Sequence, residues 1–331
     1  MAEEPSEKLS NTPQVELRPF TDADYPALAD FLTRLHAGEP RDAQAMRRFD
    51  AGRGEHHARV LAWSGDSLVG MAETERSRQF TQPGWYGLHI HTDNPALRER
   101  LERAALESLR PLSPTVLHTS VGEHWPEHGW LVEQGWREHE RMWLSWLDLR
   151  TFEPEQFGAK LSRSQAAGIE VRTLAELGWT ELNETDLEAM QRRVYELTIG
   201  LLADVPTTDP IIPWPFELWR ERVLKHPEFT PDGPMIATHG DEWVGLTELY
   251  LPRREVPGML HQGLTGVRRA WRGRGVAWAL KLTAAERAKA RGWQSVRTGN
   301  HTVNAEMLSI NAEMGFVRGP ARVVLIREWE A

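Results

Sequence analysis

Two short patterns recur in this chain at a domain-sized interval, so its fold has to be one that can be built twice. Gly65-Asp66-Ser67-Leu68-Val69-Gly70 is answered by Gly240-Asp241-Glu242-Trp243-Val244-Gly245, and Trp130-Leu131-Val132-Glu133-Gln134-Gly135-Trp136 by Ile310-Asn311-Ala312-Glu313-Met314-Gly315-Phe316. Around them, apolar periodicity predicts the same order in both halves: strand, helix, hairpin, strand, helix, strand, helix, strand. A length of 331 residues fits two domains better than one, and 40% hydrophobic residues supply two cores. The expected division is a disordered-looking leader over residues 1–13, a first domain over 14–150, a polar linker over 151–168 and a second domain over 169–331. The class is α/β, of the α+β type.

Composition removes several functions. A formal net charge of -9 argues against nucleic acid and against an anionic membrane surface as partners. No run of about eighteen apolar residues offers a membrane span, and the polar, acidic residues 1–13 do not read as a secretory signal, so the cytoplasm is the expected location. With no cysteine there is no disulfide, no thiolate metal site and no acyl transfer through an enzyme thiol. Of the histidines, His89 and His91 share a strand face, His56 and His57 adjoin, and His124 and His128 are four apart around Pro126. No acidic partner completes a ligand set in sequence, and no metal is expected.

The most informative stretch runs from Leu264 to Arg291. It reads as a strand, a loop Arg272-Gly273-Arg274-Gly275, and a helix whose Val276, Leu280, Ala284 and Ala288 repeat every four positions until Gly292, where a left-handed cap is expected. Two glycines at a helix N-terminus beside guanidinium groups make an anion cradle. A Walker loop would need Gly-Lys-Ser/Thr, which is absent. A dinucleotide fingerprint would need Gly or Ala where Trp278 stands, too bulky for close helix-to-strand packing. The remaining pattern, Q/R-x-x-G-x-G/A, is matched by Arg272-Gly273-Arg274-Gly275-Val276-Ala277. Here the chain resembles the GNAT superfamily of acyl-CoA-dependent N-acyltransferases.

The resemblance implies two tandem GNAT folds, each a mixed, mostly antiparallel sheet flanked by helices. It implies acetyl-CoA as cosubstrate of the second domain, with Thr265, Gly266 and Val267 meeting the pantetheine arm and a backbone N–H near Val267 polarising the thioester carbonyl. The loop from Arg272 to Ala277, including Arg274, would hold the pyrophosphate. Asn304 matches the asparagine of the family's post-β5 motif and doubles as a helix N-cap. Asn311 stands where many members carry a tyrosine general acid; it is grouped with the cofactor residues, and the acid is left to Tyr250, to a water or to no group. In the first half the corresponding His91-Thr92-Asp93-Asn94-Pro95-Ala96-Leu97-Arg98 has no glycine, loses an N–H at Pro95 and carries Asp93, so that copy is expected to be degenerate and without cofactor.

Direct transfer to an amine needs a base. Glu248, with Tyr250 on the same strand and His261 on the neighbouring one, is the candidate catalytic set. Asp204, Asp209 and Trp214, in the proline-stiffened segment 202–219, are the candidate contacts to a small-molecule amine. A side chain at Gly275 is expected to block the cofactor while sparing the fold. The alternative function is a CoA-binding sensor or scaffold without catalysis.

Overall fold

The computed structural model describes residues 15–53, 56–76, 80, 82–250 and 256–329. They divide into two units that depart from the expected boundaries. The first takes in residues up to 120, 125–137 and those from 325 on, and the second residues 121–124 and 138–324. Each unit therefore includes chain from the other half of the sequence.

The first unit runs β1 (Val15–Pro19), α1 (Tyr25–Leu35), α2 (Ala43–Asp50), the hairpin β2 (His57–Ser64) and β3 (Ser67–Glu75), β4 (Trp85–Thr92), α3 (Arg98–Leu109), β5 (Val116–Gly122) and α4 (Pro126–Glu133). The strands lie in sequence order. The hairpin turns at Gly65, whose φ of 58° favours glycine. Leu28, Phe31 and Leu32 of α1 pack with Leu61, Leu68 and Met71 as the core, the i, i+3, i+4 stripe meeting inward-facing strand residues. Apolar periodicity did not predict α2, which Asp42 caps by accepting the Ala45 N–H at 2.7 Å. β4 and β5 are parallel, and their ladder runs from Trp85–Val116 to Gly87–His118, although both strands continue further. After β4 the backbone donors are taken by the loop itself: Thr92 Oγ1 accepts from Asn94 N–H and Asn94 Oδ1 from Ala96 N–H, both at 3.1 Å. C-terminal residues join this unit beside β5, where Trp329 N–H donates to the Thr115 carbonyl at 2.8 Å.

One expectation for this half needs correction. His91 does have an acidic neighbour: Glu127, at the start of α4, stands 3.5 Å from its Nδ1, and His36, just past the end of α1, lies within 3.0 Å of the same nitrogen. The three are far apart in sequence, which is why local spacing did not find them.

The second unit comprises β6 (Arg137–Asp148, from Glu138), α5 (Gly158–Ala166), β7 (Glu170–Thr173), α6 (Glu184–Leu202), α7 (Phe216–Trp219), β8 (Pro234–His239), β9 (Glu242–Tyr250), β10 (Met259–Val267), α8 (Val276–Ala290), β11 (Ser295–His301), α9 (Ala305–Glu313) and β12 (Val317–Glu328, to Val324). Strand order is β12-β6-β11-β10-β9-β8-β7. Residues 142–148 of β6, expected in the first domain, pair antiparallel with the whole of β11, from Ser295–Asp148 to His301–Met142. Residues 151–168, expected to be a polar linker, carry α5. Its approach is anchored by the buried, stacked rings of Phe152 and Phe157, 5.6 Å apart, and Leu161 packs on the core that Leu282 and Ala285 of α8 share. α8 ends as the sequence suggests, at Gly292 with φ 83°.

Candidate functional site

β10 creates the opening. Its parallel ladder with β11 runs from Met259–Ser295 to Gln262–Thr298, yet β10 continues to Val267 and β11 to His301, so the second half of β10 turns backbone groups into a gap. On its other side the register with β9 shifts between Gln262 and Thr265. The buried Glu248, 7% exposed, fills that irregularity by accepting the Leu264 N–H at 3.1 Å.

Beyond β10 the chain turns through Arg269–Trp271 and enters α8 by way of Gly273 (φ 73°) and Gly275 (φ 79°), the latter being the N-cap. The two glycines are required for different reasons. At Gly273 nothing lies within 4 Å of a Cβ, so the left-handed backbone alone calls for glycine. At Gly275 a Cβ would also stand 3.3 Å from Arg163 Cβ, Lys160 O and Ser164 N of α5. The expectation that a side chain at Gly275 spares the fold is therefore corrected: it would press on α5.

Gap and loop form one cleft of about 700 Å³. Thr265, Gly266 and Val267 line it from β10, and Arg272, Gly273 and Gly275 from the loop. The first turn of α8 adds Val276 and Ala277, and Asn304 closes the far side. Asn304 also caps α9, its side chain accepting the Met307 N–H at 3.3 Å. Two expected cofactor residues lie outside this lining. Arg274 is exposed, its guanidinium 4.7 Å over the Trp271 ring. Asn311 is 2% exposed and donates to Asn300 Oδ1 at 2.6 Å, so this side chain is buried in an amide pair.

The charged residues of the cleft lining are Lys160, Arg163, Arg272, Asp204 and Glu306. Arg272 holds its place through Nε on the Val267 carbonyl (3.1 Å) and Nη2 on Asp204 (2.7 Å). Lys160 and Arg163 of α5 also line it, with Lys160 Nζ 4.7 Å over the Trp278 ring. Those two were missed because residues 151–168 read as linker. Asp204 lines the cleft but is engaged by Arg269 and Arg272, and the Arg269 hydrogen bond foremost holds its carboxyl below the usual range.

The other acceptor candidates are not in the cleft lining. Asp209 is bound to His139 Nε2 at 2.6 Å, and Trp214 is 40% exposed with its carbonyl accepting the Tyr195 hydroxyl at 2.7 Å. Nearby, Thr208 Oγ1 meets His301 Nε2 at 3.1 Å and Glu140 Oε1 stands 3.5 Å from that nitrogen; burial pushes the Glu140 carboxyl up. The aspartates thus fasten the 203–215 segment to β6 and to the loop before α8. Of the catalytic candidates, Glu248 bonds the residue next to the cleft's Thr265. His261 is half-buried outside the lining and pairs in register with Tyr250, whose side chain lies outside the described residues.

A further polar group was hidden in α8. Lys281 is buried, and burial pushes its ammonium down to about 7. Its Nζ donates to Gln262 Oε1; Gln262 Nε2 donates to Thr247 Oγ1 at 3.1 Å, and Thr247 meets Thr265 at 2.7 Å. The chain of bonds ends at the cleft wall and fixes the irregular part of β10.

No protein-family model matches the chain, and no curated protein matches it in sequence. Solved structures do match. A GCN5-related N-acetyltransferase from Sphaerobacter thermophilus aligns at TM-score 0.64 and 20% identity, over 95% of this chain and 95% of that one. A tandem GNAT protein from the clavulanic acid biosynthesis pathway aligns at TM-score 0.65 and 18% identity, over 95% and 98%. A GNAT-family acetyltransferase from Colwellia psychrerythraea aligns at TM-score 0.56 and 12% identity, over 95% and 100%. With the duplicated element order, the interrupted β10–β11 ladder and the glycine loop at α8, these likenesses identify the fold of this chain as a tandem GNAT fold.

Proposed function

We propose that the second unit is an acyl-CoA-dependent N-acyltransferase that uses acetyl-CoA and a small-molecule primary amine in one ternary complex. The observation that carries this reading is the cleft at the α8 N-terminus. Its two left-handed glycines free backbone N–H groups, and Arg272, Lys160 and Arg163 surround it with positive charge, a combination suited to a pyrophosphate. Thr265, Gly266, Val267 and Asn304 would hold the pantetheine arm. Acetyl-CoA supplies the activated acyl thioester. A backbone N–H near Val267 is assigned to the thioester carbonyl, and Glu248, directly or through a water, takes the proton from the amine. The interior location is an expectation carried by composition alone; no helix among the described residues is long and apolar enough to cross a membrane.

Calorimetry with acetyl-CoA is the test. One site per chain is expected, because the loop after β4 uses its own N–H groups. Arg272→Ala should weaken binding by about 10- to 100-fold, the range for a lost hydrogen bond to a charged group. Two equivalent sites, or an affinity indifferent to Arg272, would overturn the assignment. Acetyl transfer to a panel of primary amines separates the enzyme from a CoA-binding sensor.

A further inference from the structure

In the first unit, the positions that answer the cleft of the second are filled by side chains. β3–β4 pairing sets Gly70 against Thr92, as β9–β10 pairing sets Gly245 against Val267, so His91 answers Gly266. Counting back eight residues from Gly135 and from Gly315 matches Glu127 to Met307, and His36 follows α1 as Ala203 follows α6. Gly266 and Met307 line the cleft of the second unit; their counterparts are a histidine and a glutamate.

We propose that His36, His91 and Glu127 form a binding site for one divalent first-row transition ion, with zinc the best fit. The distances are 3.0 Å from His36 Nε2 to His91 Nδ1, 3.5 Å from His91 Nδ1 to Glu127 Oε1 and 3.7 Å from His36 Nε2 to Glu127 Oε1. The point equidistant from these three atoms lies about 2.0 Å from each, matching Zn–N of about 2.0–2.1 Å and Zn–O of about 2.0–2.2 Å. Two imidazoles and a carboxylate are a zinc-type donor set, and they leave a fourth position for water.

The second observation is the carboxylate itself. Glu127 is 1% exposed and neither of its oxygens has a hydrogen-bond partner. A buried carboxylate in that condition is costly unless a cation sits with it. A hydrogen bond between two neutral rings would satisfy the 3.0 Å contact and give Glu127 no counter-charge, whereas one divalent ion satisfies all three groups. Packing fixes the orientation of the His36 ring, which is stacked on Trp125 at 3.5 Å and 15°. The His91 side chain is 13% exposed, giving an ion a route from solvent. The ion would tie the end of α1, β4 and the first turn of α4 together, across the opening where the β4–β5 ladder stops.

The test uses the untagged full chain, stripped with a chelator, with elemental analysis after zinc reconstitution, calorimetric titration with zinc, and the visible spectrum of a cobalt(II)-loaded sample. The expected result is one zinc per chain, a Tm that rises with zinc, and intense cobalt bands of a low-coordinate site. Glu127→Gln, which keeps shape, and His91→Ala, at the exposed rim, should each weaken zinc by about a hundredfold or more, since loss of supporting groups alone costs 10- to 100-fold. Thermal melts of the stripped variants establish that they fold; if Glu127→Gln does not, His91→Ala carries the comparison. No zinc retained by the wild type, or zinc bound equally well by the folded variants, overturns the proposal.

Discussion

Glu248 sits between two roles, and its pH behaviour separates them. Its carboxylate already accepts the Leu264 N–H at the β10 irregularity, a contact that a glutamine oxygen can also accept. Glu248→Gln therefore preserves the strand but removes basicity. If Glu248 takes the amine proton, turnover should fall by about a hundred- to ten-thousand-fold with acetyl-CoA affinity nearly unchanged, and the deficit should shrink as pH rises toward the amine's own pKa. Steady-state rates from about pH 6 to pH 10 decide it; a constant ratio removes Glu248 as base. Lys281 gives a stability prediction. Burial lowers its folded pKa to about 7, against about 10.4 for an unfolded lysine. Between those values the unfolded chain holds more protons, so stability rises with pH through this window; below it the penalty of the buried charge is present in full. Relative to Lys281→Met, the wild type should gain up to about 1.4 kcal/mol per pH unit above pH 7. Urea unfolding at pH 7, 8 and 9 measures the difference, and a difference independent of pH would show that the ammonium is not desolvated.

At the scale of elements, hydrophobic period and turn residues were enough to read most strands and helices of both halves, and the glycine loop was legible because its chemistry is local. What escaped depended on partners. Residues 151–168 read as linker because α5 itself is mostly polar; its burial rests on Phe152, Phe157 and Leu161 and on the tight fit of its backbone to Gly275. Lys281 does not stand out in the sequence because periodicity does not show that α8 is covered on more than one face; Leu280, Lys281 and Leu282 are all buried. His36, His91 and Glu127 come from the C-cap of α1, from β4 and from α4, and sequence spacing carries no trace of their meeting. Asp204 and Asp209 looked available for a cationic acceptor because their arginine and histidine partners lie on other elements.

For the whole molecule, the repeat boundary and the folding boundary are different lines. A fragment of residues 169–331 would lack both β6, which covers β11 from Ser295 to His301, and α5, whose Lys160 and Arg163 line the cleft. It should fail to unfold cooperatively and bind acetyl-CoA far more weakly than the full chain, as circular dichroism melts and calorimetry would show; a stable fragment of full affinity would refute this. Residues 325–329 have another consequence, in the order of synthesis. They belong to the first unit, beside β5. The half that leaves the ribosome first therefore stays incomplete until residues 325–329 have been made, and until then it presents a bare strand edge to its surroundings. A premature stop just before Leu325 would strike the amino-terminal half, with the glycine loop already made and correct.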